Sequence, residues 1–482
     1  MSTPALSVVR EPVSREAAAH ARLELLCDPG SLELLRTGVT SSRAGLRSAP
    51  GDGVLAGVGE VEGRPVALYS QDVTHLGGSL GAAHAASIAR VLEMADHGGL
   101  PVVGFVESGG ARLQEGLAAL DGYGTIFRSL VALRGRVPVI SVVCGPAAGG
   151  AAYAPALTDL VVMTAAGRMF LTGPGVVREA MGEDVDAVEL GGPRVHDRNG
   201  VCDLVAADDE EAALLVRDLL GYLPSVAVGP IDRIAAEPAP PGDPAAVLPS
   251  SPRQVYDVRA VARLLVDAGH LLELQPKRAR NVVTALARVD GRAVGIVANQ
   301  PRYLGGVLDA NASHKAAAFI ELCDRFGLPL VVLVDTPGFL PGTRQERAGV
   351  IDAGASLVRA FAASTVPSVT VVLRKAFGGA YIAMNSRPLG AGTTMAWQGA
   401  QVGVMSATQA VAIVNRRELA AADDPPRARR RLAARYGAEH LTAAGAAAGG
   451  HVDDVIAPAA TRGRVAAALK ALSRTTPGDR DR

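Results

Sequence analysis

Two places in this chain could do chemistry with almost no side chain at all. The stretches "VVCGPAAGGAAYAP" (142–155) and "VVLRKAFGGAYI" (371–382) each run from β-branched residues into a Gly-Gly pair followed by small residues. The pairs are Gly149-Gly150 and Gly378-Gly379, the second followed by Ala380. A strand that ends in such a pair and starts a helix presents unpaired backbone N–H groups and a partial positive charge. Glycine lets a ligand atom approach those groups closely. Two N–H groups aimed at one oxygen make an oxyanion hole. The competing reading is that the glycines only allow close strand–helix packing, and the recurrence of the pair favours the hole.

Other residue types offer little. The loops "ESGGAR" (107–112) and "DTPGFLPG" (335–342) lack a G-x-x-x-x-G-K-[ST] pattern, and no G-x-G-x-x-G opens a helix, which argues against nucleotide hydrolysis. Ser108 is not in a G-x-S-x-G elbow, which argues against a serine hydrolase. The nine histidines show no metal-ligand spacing. His75, His84 and His314 stand near turn or helix starts and read as capping or surface residues. Cys27, Cys144, Cys202 and Cys323 form no C-x-x-C pair, so neither a zinc site nor a disulfide framework is expected, and a reducing compartment fits. Chemistry here would rest on backbone donors and on what the ligand brings.

The elements that must hold the glycines occur twice. "GRPVALYSQ" from Gly63 matches "GRAVGIVANQ" from Gly291, 228 residues on. "LPVVGFVESGG" from Leu100 matches "LPLVVLVDTPG" from Leu328 at the same offset of 228. "VPVISVVCGPAAGGAAY" from Val137 matches "VPSVTVVLRKAFGGAYI" from Val366, 229 residues on. Two homologous halves follow, 1–240 and 241–482, joined through "AAEPAPPGDPAAVLPSSPR" (235–253). Short apolar runs without polar alternation read as strands buried on both faces. They alternate with Ala-rich helical stretches such as "GAAHAASIARVLEMADHGG" and "NASHKAAAFIELCDRFG". That is α/β grammar, repeated in tandem.

Bulk composition narrows the class. With Lys plus Arg and Asp plus Glu both at 48, the net charge is zero, which argues against a nucleic-acid binder. The basic cluster "PPRARRRLAAR" (425–435) reads as a solvated helix face in preference to a phosphate-binding patch. The N-terminus does not read as a signal peptide, and no apolar run reaches the ~18 residues of a membrane helix. A soluble cytoplasmic protein is expected.

Taken together, "PGDGVLAGVGEVEGRPVALYSQDVTHLGGSLG", "ESGGARLQEG", "GPAAGGAAYAPALTD", "MFLTGPGVVREAMGEDVDAVELGG", "VDTPGFLPGTRQE", "RKAFGGAYIAM" and "VDDVIAPAATR" are specific. The chain resembles the carboxyltransferase (β) subunits of biotin-dependent acyl-CoA carboxylases, the propionyl-CoA carboxylase β group in particular. The resemblance implies two tandem homologous crotonase-like domains and a homo-oligomer, usually a hexamer. It places active sites between the N-terminal domain of one chain and the C-terminal domain of its partner. Acyl-CoA would bind the first domain and biotin the second, with no metal. The biotin would sit on a separate carrier loaded by a biotin carboxylase, since no A-M-K-M attachment motif occurs in this chain. By the same resemblance, Gly149 and Gly150 would hold the thioester enolate oxygen, and Gly379 and Ala380, on the turn begun by Gly378, the biotin ureido oxygen. Ser108, Gly109, Gly110, Ala111 and Arg112 would line the CoA side. Ile382 would help set acyl size, leaving acetyl, propionyl and butyryl open. Departures from the family pattern gather in the second half, at Ala310, Asn311, His314, Gln398, Gln401 and Ser406. The expected function is carboxyl transfer from carboxybiotin to a short acyl-CoA. A decarboxylase of malonyl- or methylmalonyl-type thioesters is the runner-up, and a non-catalytic scaffold the third reading.

Overall fold

The computed structural model describes residues 18–42, 49–227, 233–251 and 254–473. The stretch before Ala18, on which the signal-peptide reading rests, lies outside them, as do the end of the 235–253 joining segment and residues 474–482. The chain forms two compact units, one comprising 1–221 with 225–227 and the other 222–224 with 228–482. The break thus precedes the proline-rich segment, which is already tied into the second unit. The Ile234 N–H donates to the Gly291 carbonyl, and the Ala268 N–H to that of Pro238.

Among its described residues the first unit holds eight strands: β1 (Glu33–Leu35), β2 (Val54–Val61), β3 (Arg64–Gln71), β4 (Val102–Ser108), β5 (Val139–Ala148), β6 (Leu160–Thr164), β7 (Arg168–Phe170) and β8 (Leu204–Ala206). They run in the order β1-β2-β3-β4-β5-β6-β8, with β7 branching off β5. The second unit holds β9 (Leu271–Leu274), β10 (Val282–Val289), β11 (Arg292–Asn299), β12 (Leu330–Thr336), β13 (Ser368–Phe377), β14 (Thr393–Trp397), β15 (Gln401–Gly403) and β16 (Asp454–Ile456). Its order, β9-β10-β11-β12-β13-β14-β16 with β15 off β13, is the same topology. The repeat read from the sequence is therefore a repeat of fold. Each sheet starts with an antiparallel meander and continues parallel.

Local chemistry explains the matching elements. The hairpins β2–β3 and β10–β11 turn on Glu62-Gly63 and Asp290-Gly291, with φ of 54° and 73°, and 55° and 74°. Two successive positive φ angles are what a two-residue turn needs to match the twist of its strands. The central strands β4, β5, β12 and β13 are buried along most of their length, as their unbroken apolar runs require. Helices Ala82–Gly98 and Ala310–Arg325 are the crossovers after β3 and β11, and each unit has its own apolar core around its sheet.

One irregularity decides where the glycines sit. The β4–β5 register shifts between Val106 and Ser108, and the β12–β13 register between Val334 and Thr336. Beyond the shift β5 leaves β6 and pairs Pro146–Ala148 with Arg168–Phe170. In the same way, β13 pairs Lys375–Phe377 with Gln401–Gly403. The strand ends are thereby carried away from the main sheet just before each Gly-Gly pair.

Candidate active site

The first turn opens helix α4 (Gly150–Ala156), which follows α1 (Ala18–Leu26), α2 (Ala82–Gly98) and α3 (Leu117–Leu133) in the first unit. Gly149 has φ 60° and ψ −122°, a conformation that glycine alone adopts without strain. Its N–H donates to the Phe170 carbonyl at 3.1 Å, continuing the β5–β7 ladder. Gly149 is therefore not a free donor, and the expectation that it holds an enolate oxygen is corrected. Gly150 and Ala151 come next, at the first helical positions, where N–H groups have no intrahelical acceptor. The Ala152 N–H is already returned to the Gly149 carbonyl at 3.0 Å. The donors this turn can offer are those of Gly150 and Ala151.

The second turn follows the first in sequence, 229 residues on. Gly378 also has φ 60°, so its partner in the repeat is Gly149. Gly379 and Ala380 correspond to Gly150 and Ala151 by the 229-residue offset. Ala151 was missed by the sequence reading, which paired Gly149-Gly150 with Gly379-Ala380 one place out of register. Counting the offset through the motif would have found it.

The two turns differ in what lies against them. A Cβ at Gly150 would sit 2.7 Å from the Tyr123 ring of α3, so glycine there is demanded by packing. A Cβ at Gly379 would meet only the Phe339 ring, at 3.7 Å, an ordinary contact. Gly379 is exposed, and the second turn has open space on its outer side. Ile382 lies on its helix and is 47% exposed, the position that Tyr153, 51% exposed, takes in α4.

The loops after β4 and β12 buttress these turns. Ser108 is buried, with Oγ 3.5 Å from the Tyr123 hydroxyl and accepting from the Gly110 N–H at 3.2 Å. The Gly109 N–H donates to the Gly77 carbonyl, and Leu80 bridges Ala111 by exchanging bonds with Gly110 and Arg112. Gly110 packs so closely that a Cβ would stand 3.0 Å from the Ala148 carbonyl. In the second unit Leu308 bridges Phe339 in the same way.

Both loops are anchored by buried charge. Glu107 accepts from Arg22 of α1 at 2.8 Å, and its N–H donates to Gln71 Oε1 at 3.2 Å. Asp335, its counterpart, accepts from Arg374 Nε at 3.0 Å, and its N–H donates to Asn299 Oδ1 at 3.2 Å. Burial pushes the Asp335 carboxyl up, against the opposing pull of Arg374 and Lys375, and burial lowers the Lys375 ammonium. Gly145 leaves the room that the Glu107 carboxylate fills; the same place in the second unit carries Arg374.

At the far end of the first loop stands a network that sequence reasoning did not find. The Arg112 guanidinium is 0% exposed and donates from Nη1 to both Asp52 oxygens, at 2.8 and 2.9 Å, and to Glu115 at 2.8 Å. Its Nη2 reaches the carbonyls of Asp52 and Ser79. Arg112, which the resemblance places on the CoA side, clamps the loop, its guanidinium enclosed by Asp52, Glu115 and the Ser79 carbonyl. Of the five loop residues, only Gly109 and Ala111 keep any exposure. His75 and His84, expected as capping or surface residues, are buried beside this network, His75 at the N-cap position of the Leu76–Gly78 turn, whereas His314 is exposed. The His84 N–H donates to Asp52, and its Nε2 lies 3.2 Å from Gln71 Nε2. Because Gln71 Oε1 is taken by the Glu107 N–H, the imidazole must accept from the amide, which a neutral ring can do. Burial, with the Arg112 charge adding to it, lowers the His84 pKa to about 3.

The four cysteines are free and buried, and burial raises each thiol. Among the described residues there is no cluster of three His, Cys, Asp or Glu poised for a metal ion, and no helix is long and apolar enough to cross a membrane.

Comparison with known proteins identifies the family. The carboxyl transferase domain family matches residues 15–479. The chain is 45% identical over 463 residues to the methylmalonyl-CoA carboxyltransferase 12S subunit of Propionibacterium freudenreichii subsp. shermanii, covering 94% of this chain and 88% of that one. It is 42% identical over 494 residues to the propionyl-CoA carboxylase beta chain of Saccharopolyspora erythraea, covering 97% and 89%. A solved transcarboxylase 12S structure, described as a hexamer with methylmalonyl-CoA and methylmalonic acid bound, superposes with a TM-score of 0.91 at 44% identity, covering 95% of this chain and 89% of that one.

Two outcomes follow for this unit. Gly150→Ala drives a methyl into the Tyr123 ring and is expected to cost about 1–3 kcal/mol, seen as a lowered calorimetric midpoint; Tyr123→Leu in the same chain should recover part of it. For His84, the unfolded chain takes up a proton near its ordinary pKa of about 6.5, while the folded ring does so only near 3. Acidification through that window therefore destabilises the fold, by about 1.4 kcal/mol per pH unit from this residue. Denaturant titrations between about pH 6 and pH 4 should show His84→Gln with a shallower loss by that slope.

Proposed function

The chain belongs to the carboxyl transferase domain family and is a carboxyltransferase of the propionyl/methylmalonyl-CoA type, and on that premise we propose how its two turns divide the reaction. The first unit, within residues 1–240, takes the acyl-CoA, and the N–H groups of Gly150 and Ala151 hold the thioester oxygen as the enolate forms. The second unit, within 241–482, takes biotin, and the N–H groups of Gly379 and Ala380 hold its ureido oxygen.

Carboxybiotin, brought by a separate carrier protein, supplies the carboxyl group and the base for the α-proton. The second turn fits such a group, because the outer side of Gly379 meets nothing closer than Phe339. The backbone donors are fixed before the reaction begins, so no reorganisation is needed as charge develops, and each pair is worth about 3–4 kcal/mol. Ile382 offers an apolar wall, suited to a short acyl tail.

A single observation carries the reading: the same glycine with φ 60° begins a helix after a branched strand in both units. Two anions, one per reactant, call for two such turns. Decarboxylation would need only the first, so nothing here favours it.

The solved 12S relative is described as a hexamer, and we extend that assembly to this chain. Exposed Tyr153 and Leu171 beside the first turn, and Ile382 and Val404 beside the second, support a covering protein surface.

Incubating the purified chain with methylmalonyl-CoA should yield propionyl-CoA only when biotin is added. Biotin-independent formation at the same rate would overturn carboxyl transfer in favour of decarboxylation. Gly379→Ala should keep the melting temperature, since its methyl finds ordinary contacts, yet lower kcat about 10²-fold by crowding the ureido oxygen. Unchanged turnover would remove Gly379 from the site.

A further inference from the structure

After β15 the chain builds a small helical subdomain from Ala407–Val414, Arg416–Ala420 and Pro425–His440. Its own core is Val411, Leu419, Ala428 and Leu432. The polar faces are strongly basic. Arg416, Arg417, Arg427, Arg429 and Arg430 are all exposed, and among the described residues none has a carboxylate partner. The local acids are largely engaged elsewhere. Glu418 pairs with Arg431 at 3.4 Å, Glu439 with Arg435 at 3.0 Å, and Asp424 caps the Pro425–His440 helix through the Arg427 N–H at 2.9 Å.

In a chain of zero net charge, five guanidiniums without a carboxylate partner on two consecutive helices are a local imbalance. They are not alone on the surface. Ile413 and Val414, 67% and 71% exposed, end the first helix. A cavity of about 330 Å³ lies between Gln398, Gln401 and the small residues Ala433 and Gly437 of the arginine-rich helix.

The subdomain is attached directly to the second turn. β15 pairs with the last residues of β13. A Cβ at Gly378 would stand 3.2 Å from the Val404 carbonyl, and three residues later the first helix begins. That helix of eight residues is about 12 Å long.

We propose that this basic face is the landing surface of an acidic protein partner, the carrier that delivers biotin to the Gly379–Ala380 turn. The proposal rests on the function assigned above and names the partner of the same site. Arginine beside exposed aliphatic side chains is the composition of a protein–protein interface. Complementary charge there speeds encounter and sets partner choice more than it adds affinity.

The test compares carrier-borne with free biotin. Arg427→Glu, Arg429→Glu and Arg430→Glu are combined in one chain, with the three Arg→Gln changes as a milder second variant. With biotinylated carrier protein as the probe, kcat/KM should fall about tenfold or more in the Glu variant and less in the Gln variant. The wild-type value should drop with added salt. With free biotin, kcat and the KM for methylmalonyl-CoA should stay at wild-type values. Carrier turnover unchanged in both variants, or free-biotin turnover reduced equally, would overturn the proposal. So would a raised KM for methylmalonyl-CoA alone, which would assign the arginines to CoA phosphates. Carrier binding measured in parallel by calorimetry decides the docking even if the wild-type chain fails on free biotin, an outcome that would count against the functional reading instead.

Discussion

Everything at the site depends on one backbone constraint. A strand must stop, turn through a residue with positive φ, and start a helix whose first N–H groups have no intrahelical acceptor. The Gly149 N–H, bonded to the Phe170 carbonyl, shows how the turn is held. By spending one amide on the β5–β7 ladder, the chain fixes the direction of the next two. A donor held in place before charge develops stabilises an anion without further ordering. The amide that is used up is thus as necessary as those that remain.

Around this turn the fold arranges buried charge to keep loops still. Glu107 and Asp335 occupy the same place in the two sheets, and each is met by an arginine and an amide side chain. The arginine comes from α1 in one unit and from β13 itself in the other. Buried ion pairs of this kind contribute little net stability but are costly to break, because a lone charge is left behind. Their use here is positional. In the first unit the Arg112–Asp52 pair adds a second clamp, so the loop between Glu107 and Arg112 is fixed at both ends. A loop so held can press Gly110 against Ala148 and keep the turn from shifting.

The units share a frame and differ in what they leave open. Tyr123 closes against Gly150, whereas Phe339 stands off from Gly379. The second unit also carries the arginine-bearing helices after β15, where the first continues from β7 into the short helix Pro174–Met181. The sheet is shared by the two units, and the segments after its branch strand differ.

Much of this was legible in the residues alone. Unbroken apolar runs forced strands buried on both faces, and repeats at one offset forced two similar sheets. Gly-Gly after a strand marked the turns, because no other residue type tolerates that backbone. What the sequence could not decide was which amides were spent, since a β-ladder to Phe170 depends on a strand about twenty residues away. Nor could it place Arg112, His75 and His84 inside: a polar residue reads as exposed until its partners are known, and Asp52 lies sixty positions from Arg112. Local chemistry determined the elements and the turns; only long-range pairing of charge and hydrogen bonds decided which groups are left to act.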